Sequence, residues 1–388
     1  MNTFLSRRVA SCGSSQPVQY HPGRCADLDL LRFIFFLMVF GAHTNPFTHL
    51  GWVVSAGGDG VCFFFMLSAF LLTDLLMRER TQTHSVHVGS FLLRRALRIV
   101  PLYLLAIAVG AGLGLLIPSM HVPARSLRWL LSFTYNIYVA HSGWDANVLG
   151  PLWSLSVEWQ FYFAIPWIVK FGGRRALSIF LVVCLLASYG MLLLLGRAHA
   201  EPSTGVWVNS FVQFQFFAAG TALALQLHRH SWNISVSKRI VLLIGGLAIL
   251  ALQQRFVNVR GYLPLPASRL CCGYLLILMC GIMIFLSLFN WPLPIPKSLR
   301  YLGEISYGLY VYHTLFLYIL VYRTAGSSEL IVPTGWHAAL VDAISLGLTI
   351  LTAHVSYQYF EKPFLRLKQK FATIPSATVR FPVAVQGK

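Results

Sequence analysis

Apolar runs long enough to cross a bilayer recur along this chain from residue 28 to residue 358, and no long polar stretch divides them. A spanning helix needs roughly 20 mostly apolar residues to cover a hydrocarbon layer of about 30 Å. Ten segments have that character: 28–46, 52–76, 99–117, 152–170, 176–195, 207–227, 240–256, 267–289, 305–322 and 337–358. Such a chain has few folds open to it. Inside a bilayer every backbone N–H and C=O must be bonded within the protein, and a helix does this within one segment. Only 11% of the 388 residues are charged, against about a quarter in a soluble domain, too few to cover a water-facing surface of this size. The expected fold class is all-α, a polytopic transmembrane helix bundle of about ten spans. The segment 127–140 (LRWLLSFTYNIYVA) is shorter and aromatic. It reads either as an interfacial or re-entrant piece, or as a fragment packed over the bundle.

Basic residues orient the bundle. With Met1 inside, ten spans place 22 of the 30 Lys and Arg in inner segments and 7 in outer ones, Arg32 lying within the first span. The positive-inside rule then favours two cytoplasmic termini. Most of the +18 net charge is thus topological. It is spread over loops facing one anionic leaflet, which makes membrane lipid the expected partner and sets nucleic acid aside. The expected organisation is a cytoplasmic N-terminal tail at 1–25, a transmembrane domain at 26–366 and a basic cytoplasmic C-terminal tail at 367–388. The first 24 residues are polar and hold Arg7, Arg8 and Arg24, so the first helix is expected to initiate insertion itself. Cys12 and Cys25 fall inside, and Cys62, Cys184, Cys271, Cys272 and Cys280 fall within spans. Their spacing suggests neither a disulfide framework nor a zinc site, and no metal is expected. The sequon at Asn233 faces the cytoplasm and is expected to stay unglycosylated.

Ionisable groups inside apolar helices are costly, so each is a candidate functional residue, with structural pairing as its rival. Arg32 and His43 lie eleven residues apart, three turns plus roughly 20°, so both project from one helix face about 16 Å apart along the axis. A permanent cation and a titratable imidazole share a stripe, and a histidine is suited to take a proton from a hydroxyl. The alternative is that Arg32 snorkels and pairs with Asp29 while His43 caps the helix. Asp59, Gly60 and Ser68 on the second segment read more readily as a helix cap and packing contacts.

Arg95 and Arg98 are three apart on a helix entering from inside. Guanidinium groups suit phosphate, though anchoring alone puts arginines there too. Glu158 lies about 9 Å below Leu152. That reaches toward the depth of His43, where a carboxylate would fix the imidazole tautomer; pairing with a structural arginine is the alternative. His313 sits well inside the ninth segment and faces the bundle. Glu361 and Lys362 anchor the last helix.

Taken in order, these motifs carry a resemblance. Arg32 and His43, FFMLSAFL at 64–71, Arg95 with Arg98, WSLSVE at 153–158, ISYGLY at 305–310 with His313, and EKP at 361–363 resemble the membrane acyltransferase-3 family over residues 26–366. Two positions depart from the family pattern: Ala69 stands where glycine is usual, and Trp159 where a second acidic residue is common. Neither removes a proposed catalytic group. With no hydrolase-like domain expected after the last helix, the chain resembles the stand-alone form.

The resemblance implies a bacterial inner (plasma) membrane enzyme. It would transfer an acyl group, usually acetyl, from cytoplasmic acyl-CoA to a hydroxyl of a cell-surface glycan, lipid-linked sugar or similar acceptor. Carried onto this chain, Arg95 and Arg98 engage coenzyme A phosphates and Arg32 helps hold the donor. His43 deprotonates the acceptor or relays the acyl group covalently, and Glu158 orients His43 or stabilises its charge. The rivals are a transporter or flippase for a lipid-linked sugar, which would favour inverted repeats that are not visible here, and a catalytically dead relative.

Overall fold

The computed structural model describes residues 23–44, 56–145, 147–227, 234–261, 263–290, 294–325 and 335–372. Cys12, Asn233, most of the expected N-terminal tail and the chain beyond residue 372 lie outside the described residues. Within them all regular structure is helical: α1 Gly23–Ala42, α2 Gly60–Thr83, α3 Val88–Leu116, α4 Ala124–Leu131, α5 Tyr135–Ser142, α6 Trp153–Arg197, α7 Ser210–Leu227, α8 Val236–Leu252, α9 Ala267–Leu288, α10 Lys297–Glu304, α11 Ser306–Ala325, α12 Gly335–Ser356 and α13 Lys362–Gln369. Among the described residues seven helices (α2, α3, α6, α7, α8, α9 and α12) are long and apolar enough to cross a membrane. The fold is an all-α polytopic bundle.

Helix α2 is the axis of the bundle, with 83% of its most apolar stretch buried. It packs against α1, α6 and α7. The α7 contact is close because Gly220 has no side chain: a Cβ there would sit 2.0 Å from the Met66 carbonyl oxygen. Rings fill the rest of the seam. Phe217 stacks between Phe65 (4.8 Å) and Phe161 (4.5 Å).

At 45 residues, α6 would run about 68 Å if straight, twice the hydrocarbon thickness. It breaks at Gly173, where φ 55° and ψ −137° lie outside the helical region. A side chain is excluded there, since a Cβ would lie 1.8 Å from the Arg80 guanidinium. Arg80 Nη1 instead donates to the Val169 carbonyl at 2.8 Å, so a cation caps the backbone freed at the break, while Arg174 Nη2 donates to Leu225 O at 2.9 Å in the last turn of α7. The second leg runs back along α7, with Ser188 Oγ donating to Val212 O at 2.9 Å. The break falls between the expected segments 152–170 and 176–195.

The segment 127–140 forms α4 and α5, eight residues each, too short to span. They pack over the bundle. Tyr103 donates to Leu130 O at 2.7 Å, and Asn136 Nδ2 donates to Val208 O at 3.1 Å and to Ser210 Oγ at 2.9 Å. At the far end of α2, fully buried Glu79 ties the turn into α3. It accepts from His87 N at 2.9 Å and from Arg94 Nη2 at 3.3 Å. Buried Arg239 closes the end of α9 by donating to Ser287 O (3.1 Å) and Phe289 O (2.7 Å). Cys62, Cys184, Cys271, Cys272 and Cys280 are free thiols.

Candidate active site

A cavity of about 130 Å³ opens between α1, α2, α3, α6 and α11. Arg32 from α1, Arg95 and Arg98 from α3, and Glu158 from α6 all line it, with Ser68, Ser154, Tyr162 and Tyr310. Four of the five proposed site residues therefore face one space, reached from three separate helices. His43 is not among the lining residues.

The cationic end is partly compensated. Arg32 is ion-paired with Asp29 one turn earlier, so the structural pairing weighed for Arg32 is present while the guanidinium still borders the cavity. Glu158 accepts hydrogen bonds from Ser68 and Tyr162 and lies in the fields of Arg95 and Arg98. The Ser68 and Tyr162 hydroxyl oxygens are 3.0 Å apart. Buried Arg95 Nε has no hydrogen-bond partner, an orphaned donor of the kind that a bound anion satisfies.

Tyr310 links the cavity to the histidines. Its hydroxyl donates to Pro151 O at 2.9 Å and lies 2.7 Å from Ser154 Oγ, and its carbonyl accepts from His313 Nδ1 at 2.6 Å. The fully buried His313 ring stands edge-on to His43, with centroids 4.8 Å apart. His43 follows the last turn of α1, exposed at its outer edge, and its Nδ1 is 2.9 Å from Val39 O. A carbonyl can only accept, so Nδ1 carries the proton in both rings, and the neutral rings keep their Nε2 lone pairs. His313 Nε2 is buried without a partner.

The expected Glu158–His43 pairing is not what the geometry offers. Glu158 bonds with Ser68 and Tyr162, and the ring beside His43 is His313. Asp59 also departs from its reading as a cap: it stands at the N-cap of α2 without a side-chain cap bond. Its Oδ2 instead accepts from Gln254 Nε2 at 2.8 Å. Tyr162 was overlooked in the sequence, although its place four residues after Glu158 puts both on one helix face. Ser68 was read as packing and proves to be a carboxylate ligand. Among the described residues no group of three or more His, Cys, Asp or Glu is placed to hold a metal ion.

A helical membrane bundle with a cationic cavity mouth and a tautomer-fixed histidine beyond it has the parts a membrane-embedded group-transfer enzyme needs. A family model described as an acyltransferase domain matches residues 26–354, and the chain belongs to this acyltransferase-3 family. It is similar to Nodulation protein 10 of Rhizobium leguminosarum bv. viciae, 26% identical over 90% of this chain and 96% of that protein. It is 24% identical to O-acetyltransferase OatA of Staphylococcus aureus (strain MRSA252), over 93% of this chain and 61% of the relative. YrhL of Bacillus subtilis (strain 168), whose name marks it as a peptidoglycan O-acetyltransferase, is 27% identical over 90% of this chain and 55% of its own length. The chain thus spans little more than half of the last two. No solved structure shows significant similarity to it. The protein is an integral membrane acyltransferase.

Proposed function

We propose that this enzyme moves an acyl group, acetyl in the simplest case, from acyl-CoA at the cytoplasmic face of a bacterial inner membrane to an acceptor hydroxyl at the opposite face. The acceptor is a cell-surface glycan or lipid-linked sugar. Relatives named as O-acetyltransferases, one of them of peptidoglycan, support that class. In this reading the chain crosses ten times, α6 contributing two legs, and both termini are cytoplasmic. Arg80, Arg174 and Arg239 then all cap helix ends on the inner side.

One observation carries the reading. A cavity bordered by Arg32, Arg95 and Arg98 is also lined by Tyr310, whose ring centroid lies 5.6 Å from that of His313, itself 4.8 Å from His43, and the Val39 bond leaves the His43 Nε2 lone pair free. Arg95 and Arg98 hold the donor phosphates bidentately, Arg32 flanks the arm, and the thioester enters the cavity. Glu158 acts at this donor end, holding Ser68 and Tyr162 in place and balancing Arg95. At the other end His43 Nε2 takes the proton of the acceptor hydroxyl as its oxygen bonds to the acyl carbon. The carbon–sulfur bond breaks, the sulfur leaves as thiolate and is protonated, and His43 releases its proton to solvent. Keeping bulk water out limits hydrolysis of the thioester.

The test is transfer in sealed vesicles with labelled acetyl-CoA supplied to the cytoplasmic face, comparing the native enzyme with His43→Ala at equal abundance. Loss of a general base costs about 10²–10⁴ in rate, so label in extracted glycans and lipids should fall to background in the variant. Equal labelling by both would remove His43 from the chemistry.

A further inference from the structure

Helix α13 lies against α3, and one cation ties the end of α13 to it. Arg94 is braced by buried Glu79 through Nη2 and donates through Nη1 to the Phe371 carbonyl at 2.6 Å. That carbonyl belongs to the turn that ends α13, closed by a bond from Phe371 N to Lys368 O at 3.2 Å. The latch therefore fixes the Lys368 backbone within one turn of Arg94, whose neighbour Arg95 lines the cavity. Lys368 is half-buried while Arg366 of the same short helix is exposed.

The charges that act most strongly on Lys368 are Arg95, Arg98, Arg32 and Arg94, all of its own sign. They come from α1 and α3, while the lysine is brought from more than 260 positions away in sequence. Asp29 compensates Arg32, Glu79 compensates Arg94, and Glu158 serves Arg95. A lysine that only anchored the helix to lipid headgroups would splay outward, as its long stem allows. This one is held where like charges converge, an arrangement that costs energy until a polyanion arrives. Several cations from separate elements also match a ligand with more than one phosphate better than one with a single charge.

Resting on the acyl-CoA reading above, we propose that Lys368 is a phosphate ligand of the acyl donor, delivered to the Arg95–Arg98 mouth by the C-terminal amphipathic helix through the Arg94–Phe371 latch. Lysine serves as a point charge on phosphate where the arginines supply the forks.

Calorimetric binding of coenzyme A to the purified full-length protein in uncharged detergent tests this without a membrane surface. Lys368→Gln should weaken binding about tenfold, Lys368→Arg should keep most of the affinity, and Arg366→Gln should bind as the native protein does. Dephospho-coenzyme A, one phosphate poorer, should lose less affinity on Lys368→Gln. On the native protein, coenzyme A should shield Lys368 from an amine-reactive reagent, read by mass spectrometry, and leave exposed Lys370 reactive; this arm stands even if a variant fails to fold. Unchanged affinity in Lys368→Gln, or an unshielded Lys368, overturns the proposal while leaving the arginines as donor ligands. A native protein that binds no coenzyme A overturns the donor reading along with it.

Discussion

Glu158 shows what a residue's position in its own helix does and does not specify. Its depth below Leu152 follows from a rise of about 1.5 Å per residue, and depth alone made His43 a reasonable partner. Azimuth decides otherwise: Ser68 and Tyr162 take the carboxylate, and His313 takes the place beside His43. The difference is measurable. Were Glu158 paired with His43, Glu158→Gln would lower the imidazole pKa and move the acid limb of the rate profile to lower pH. With the carboxylate at the donor end, that variant should raise the KM for acetyl-CoA and leave the limb where it is. A shifted limb would return Glu158 to the histidine. Arg32, Arg95 and Arg98 were legible because a charge in an apolar run has few reasons to be there. Lys368 was not, since a lysine in a basic end looks like an anchor until the fold brings it to α3. Asp59 looked like a cap because it opens a helix, and only the approach of Gln254, 195 positions later, reveals its partner.

At the level of helices, the apolar runs marked where elements lie, because period and length carry that information directly. How closely two helices approach is written in single small residues whose partner the sequence does not name. Gly220 and Gly112 look alike in sequence. A Cβ on Gly220 would meet the Met66 carbonyl at 2.0 Å, whereas one on Gly112 would meet nothing within 4 Å. Gly220→Ala should therefore destabilise the protein by about 1–3 kcal/mol through overpacking of backbone on backbone, and Gly112→Ala should be neutral or gain up to about 1 kcal/mol from helix propensity. Thermal melting in detergent reads both. The segment 127–140 left two readings open because short aromatic runs suit either an interface or a cover. The bonds from Asn136 to the start of α7 identify it as a cover.

For the whole molecule, the distribution of arginine and lysine is the strongest statement of sidedness, and the topology proposed from it puts the cationic cavity mouth at the cytoplasm and His43 at the other face. In a cysteine-free background, Arg175→Cys should react with an impermeant maleimide only from the cytoplasmic side, and Ala198→Cys only from outside. The reverse pattern would invert the bundle and strand the donor site on the wrong face.

The break at Gly173 bears on how such a bundle is made. With one residue between them, the legs of α6 leave no loop that a translocation channel could handle separately. If each leg crosses the bilayer, as the proposed ten-span topology has it, neither can take its orientation from flanking chain of its own, and the two enter together. In the proposed topology the first leg waits at the channel during synthesis until its mate has emerged, with Arg174 and Arg175 holding the bend on the ribosome's side.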